Sequence, residues 1–65
     1  MKSRKLLKNL AEKIASYERI IMRNENPEEV SKAKDAIAKL TENSKLNFDE
    51  MILVDELILE FLEKI

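Results

Sequence analysis

The chain has no cysteine, no histidine, no tryptophan and no glycine, and a single proline, among its 65 residues. Each absence removes a class of solution. Without cysteine no disulfide can form, and the redox compartment is left open. Without cysteine and histidine, zinc lacks its ordinary ligands. A chain this short buries only about 60% of the surface that its unfolded form exposes, and small chains commonly add disulfides, a metal or self-association. With the first two excluded, self-association is left. An average chain of this length would carry about four or five glycines. Their lack argues against strands joined by tight turns and against loops that cradle phosphate. The longest apolar run, Met51-Ile52-Leu53-Val54, falls far short of the ~20 residues that span a bilayer. The first ten residues are basic and lack the apolar stretch of a secretory signal. The expected setting is the cytoplasm.

The same absences bear on chemistry. Histidine, the usual general base near neutral pH, is missing. Ser3, Ser16, Ser31, Ser44 and Thr41 have no evident base to activate them. No Glu-x-x-His motif is present for a bundle metal site, and no glycine-centred calcium loop. The expectation is a protein that is not an enzyme and that holds neither cofactor nor metal.

What is present is a helical pattern. Charged residues make up 38% of the chain and aromatics 5%, a mixture that suits solvated helices. Leu7, Leu10, Ile14, Tyr17 and Ile21 step by three and four, as one helical face requires. Leu6 and Ile20 widen that face on one side and Met22 on the other. Asn24 is a candidate stop, since asparagine tolerates the left-handed conformation. Asn26-Pro27-Glu28-Glu29 then gives a cap, a proline suited to the first helical position and two acids at the positive end of the dipole. Val30, Ala33, Ile37 and Leu40 form a narrow stripe on this second helix. Asn47 and Glu50 have the spacing of a capping box, with Leu46 and Met51 as a hydrophobic staple. The pattern predicts one all-α domain over 1–65, with three helices at about 5–23, 27–43 and 48–64 in an up-down-up bundle.

The third helix has more apolar surface than one neighbour can cover. At about 100° per residue its apolar residues fill roughly 220°, with Ile58 near the middle, and the first helix fills roughly 180°. A helix packed on one neighbour needs a stripe of little more than about 100°. Two readings follow. Either the third helix is the central helix of a small bundle, or helices 1 and 3 also pack on a second copy and a homodimer completes the bundle. Asp55 falls inside the apolar arc. It can be satisfied within the chain by Arg19 or Arg23, or it can serve as an interface polar group that sets register or receives a partner's basic residue. Glu18 holds a flanking position on the first helix, where its longer stem can reach water.

Charge is segregated along the chain. Residues 1–23 carry a balance of +5, residues 24–45 of −1 and residues 46–65 of −5, so the net −1 conceals a strong asymmetry. Asp49, Glu56, Glu60 and Glu63 fall on one ridge of the third helix, with Leu53 and Leu57 beside it. Leu53 reads as lying on the polar side of that helix. These six residues are the candidate partner-binding site. The functional expectation is a non-catalytic protein–protein interaction module, a small regulator or adaptor that self-associates through helices 1 and 3 and meets another protein with a basic surface. The alternative is non-specific nucleic-acid binding through the basic first helix, where Lys2, Arg4, Lys5 and Lys8 cluster. Against it, the third helix would be repelled from DNA, and Tyr17, Phe48 and Phe61 all fall on apolar faces rather than forming a stacking platform.

Overall fold

The computed structural model describes residues 3–63. Three helices are present among them and no strand: α1 (Arg4–Arg23), α2 (Pro27–Ser44) and α3 (Phe48–Glu63). Lys2 of the basic cluster, Ile65 of the apolar arc and position 64, the expected end of the third helix, lie outside the described residues.

The helix ends follow from local chemistry. The Ser3 hydroxyl accepts a hydrogen bond from the Leu6 N–H at 3.2 Å and caps α1, a start that the sequence reading placed one residue later. Asn24 ends α1 in the left-handed conformation at φ 48°, its N–H donating to the Ile20 carbonyl. Asn26 caps α2 by accepting from the Glu28 N–H at 2.9 Å, and Pro27 follows at the first helical position. The capping box of α3 is formed reciprocally. The Glu50 N–H donates to the Asn47 side chain at 2.8 Å, and the Asn47 N–H donates to the Glu50 carboxylate at 3.1 Å. At the end of α2 the structure differs slightly from expectation. The helix runs to Ser44, and Lys45 takes the left-handed conformation at φ 48°. A Cβ in that conformation costs about 1–2 kcal/mol, which glycine would avoid.

The central helix is α1, not α3. It packs against both other helices, while α2 and α3 make no close backbone approach to each other among the described residues. Leu7, Ala11 and Ile14 of α1 form the buried cluster together with Val54 of α3, and Ala15 is buried as well. Ala11 lies in that cluster, where a small side chain lets α3 come close. Leu10, Ile37, Leu40, Leu46, Leu57 and Phe61 pack around the cluster. Tyr17 and Ile20 border Lys32 and Ala33, whereas Ile14 borders Ile37 and Thr41, so α2 runs against α1. Ile14 borders Met51, and Arg19 reaches Phe61, so α3 runs with α1. The chain direction is thus up, down, up. The molecule measures 37 × 25 × 16 Å. A helix with its side chains is about 10–12 Å across, so the thinnest dimension lies between one and two helix diameters.

The rotation of α3 departs from expectation. Its burial centres on Glu50 and Val54, each 3% exposed, rather than on Ile58, which is half-buried. That is a turn of roughly 70° about the helix axis at 100° per residue. Leu53, expected on the polar side, is therefore half-buried against the core, and Leu57 with it. The opposite edge of the apolar arc is left in solvent.

Candidate functional site

The uncovered edge of α3 carries Phe48 at 76% exposure, Leu59 at 60%, and Met51 and Ile52 at lower values. On α1 the comparable exposed residues are only Leu6 and Met22, at opposite ends of the helix. The broad arc of α1 is thus covered within the chain, by α2 on one flank and α3 on the other. The surplus belongs to α3.

This surplus has a regular spacing. Phe48, Ile52, Asp55, Leu59 and Leu62 follow one another by four, three, four and three residues. That is the a/d spacing of a coiled-coil seam, the pattern that one helix presents to another. Phe48, Ile52, Asp55 and Leu59 are exposed, and Leu62 is half-buried. Asp55 is the midpoint of the five.

Beside the seam lies a groove. Its floor is Ile14 and Glu18 of α1, one wall is Ile37 and Thr41 of α2, and the other is Met51, Val54, Asp55 and Ile58 of α3. It holds about 130 Å³, well under the ~300 Å³ at which small-molecule sites begin. A volume of this size suits a few inserted side chains. A second, more open hollow of about 350 Å³ continues it toward the C-terminal end of α3, lined by Glu18, Asp55, Ile58, Leu59 and Leu62. Glu18, Asp55 and Ile58 are common to both. The result is an apolar trough with two carboxylates at its middle. A further hollow on the opposite flank, of about 390 Å³, lies open between α1 and α2 over Ala33 and Ala36, with Tyr17, Ile20, Glu29 and Lys32 around it.

Neither arginine that was expected to satisfy Asp55 does so. Arg23 is exposed. Arg19 instead donates from Nη2 to the Phe61 carbonyl at 2.8 Å, where a cation meets the negative end of the α3 dipole. Its Nε is buried with no hydrogen-bond acceptor. Asp55 is exposed, and so it stands in the seam as a solvated charge.

Compared with family models, with curated proteins and with solved structures, the chain finds no match.

The six partner-binding candidates divide. Asp49, Glu56, Glu60 and Glu63 are exposed along one side of the seam. Leu53 and Leu57 pack on the core and are not beside them in solvent. Asp55, the interface polar candidate, lies in the seam itself. Phe48, Ile52 and Leu59 were read only as members of a wide arc, although their heptad spacing with Asp55 and Leu62 was present in the sequence. Arg4, Lys5 and Lys8 are exposed near the start of α1. Among the described residues no cluster of three or more candidate ligands could hold a metal ion. No described helix is long and apolar enough to cross a membrane.

Proposed function

We propose that this chain is a non-catalytic protein–protein interaction module, a small regulator or adaptor, whose binding surface is the outer face of α3. The observation that carries this reading is the exposed heptad seam beside an open apolar trough that can take inserted side chains. Three apolar residues of one helix in solvent, in register with each other, form a patch rather than the scattered exposure that is normal for surface leucines. Helix-in-groove recognition reads anchors at this spacing. A second copy would give the homodimer that the small size of the chain favours, with α3 rather than α1 at its centre, and a different protein would make the chain an adaptor. Nucleic-acid binding rests on Arg4, Lys5 and Lys8, which can contact phosphates but carry no base readout.

The test is site-specific cross-linking in the source cell. A photo-reactive residue in place of Leu59 is expected to give a discrete protein adduct. The same group in place of Asn9, exposed on the far side of α1, is expected to give none. No adduct from position 59, or the same products from both positions, overturns the assignment.

A further inference from the structure

The charge around the seam selects its occupant. Between Phe48 and Glu63 the helix carries six acids and no base. Asp49, Glu56, Glu60 and Glu63 are exposed along one flank, Glu18 of α1 borders the other, and Asp55 sits at the midpoint. We infer that the outer face of α3 receives a basic amphipathic helix that sets a lysine or arginine against Asp55 and Glu18 and apolar side chains above and below it. The inference rests on the interaction-module reading and adds the chemistry of the partner.

Three observations converge on this occupant. The four-three-four-three spacing demands a helix, because only a helix offers holes at that repeat. The place is also geometrically open. Since α2 and α3 flank α1 without close backbone approach, a helix laid along the trough would complete a four-helix arrangement with knobs entering the Ile14–Ile37–Ile58 groove. The third observation is the position of Asp55, which disfavours a second copy of α3. In a parallel in-register pairing, or an antiparallel one centred on the seam, the midpoint meets its own equivalent. Asp55 would face Asp55, and each acidic ridge would lie near another acidic ridge. Like charges in such juxtaposition reject a partner strongly, whereas a cation from a basic helix would be held by two carboxylates.

The probe is a synthetic amphipathic peptide about three heptads long, with leucine in its seam, lysine on its flanks and one arginine at the seam midpoint. A control peptide carries glutamate at that midpoint. Binding to the full chain is followed by titration of backbone amide resonances, with sedimentation equilibrium of the chain alone alongside. The arginine peptide is expected to shift resonances of α3 and of residues near Glu18, more weakly at high salt, and the glutamate peptide to bind at least about tenfold less tightly. Asp55→Asn is expected to weaken the arginine peptide by about tenfold and to erase most of the discrimination. Because Asp55 is exposed, this variant is expected to keep its helicity, and circular dichroism checks that it does. Glu18→Gln is expected to give a smaller loss in the same direction. Equal binding of the two peptides at α3 overturns the charge selection while leaving the interaction surface in place. Binding of neither peptide overturns both. A chain that dimerises alone, and that Leu59→Asp returns to 7.6 kDa, puts a second copy on this face and overturns the basic-helix assignment only.

Discussion

Helices α1 and α3 begin from similar sequence patterns and end in different situations. Both carry apolar arcs wider than one neighbour needs. In α1 the arc is divided between two neighbours, and Leu7, Ala11, Ile14 and Ala15 are buried. In α3 one edge of the arc packs on α1 and the other, with Phe48, Ile52 and Leu59, faces water. The width of an apolar arc therefore tells how many neighbours a helix can use. It does not tell whether they belong to the same chain.

The comparison can be broken by one substitution made on each edge of α3. Val54→Asp places a charge in the buried cluster and is expected to cost about 4 kcal/mol or more. A core this small rarely supplies more than about 3–5 kcal/mol, so far-ultraviolet circular dichroism is expected to show an unfolded chain. Leu59→Asp, on the exposed edge, is expected to stay within about 0.5 kcal/mol of the parent in urea. Similar behaviour of the two would mean that α3 does not have an inner and an outer face.

A second pair sharpens the picture on α1. Leu7 is 1% exposed and its neighbour Leu6 is solvent-facing. Leu7→Ala is expected to destabilise by about 2–5 kcal/mol, and Leu6→Ala by no more than about 0.5 kcal/mol. The urea midpoints of the two variants measure the difference. Smaller again is the capping box. Glu50→Ala removes the acceptor of the Asn47 N–H and is expected to cost about 1–2 kcal/mol. If Glu50→Ala leaves the midpoint unchanged, burial of this carboxylate contributes nothing beyond what alanine supplies. The smallest effect is a gain. Lys45→Gly relieves the left-handed position after α2 and is expected to stabilise by up to about 1 kcal/mol, read as a higher urea midpoint.

The helix ends were legible in the sequence because caps are local. Asn24, Asn26 with Pro27, and Asn47 with Glu50 each act within a few residues, and each holds the position that was expected of it. The Lys45 stop was not legible, since nothing intrinsic to lysine favours the left-handed conformation. The rotation of α3 was not legible either. Its apolar residues fill so much of the circumference that several rotations bury similar area, and the choice is made by packing against another helix, which a single-helix pattern does not contain. The expectation of Leu53 on the polar side follows from that single ambiguity. Asp55 was legible as an anomaly, because an acid inside an apolar arc is visible in the sequence. Its exposure was not, since it depends on the rotation of α3 against α1.

Because α2 and α3 each approach α1 closely along the backbone and do not so approach one another among the described residues, each is expected to have its own opening motion against α1. Amide hydrogen exchange should then resolve two families of opening events, one for each flanking helix. An occupant of the outer face of α3 would slow exchange along that helix by linkage and leave α2 nearly as before. The second helix is in this way a reference clock, carried by the same chain, against which engagement of the third can be timed.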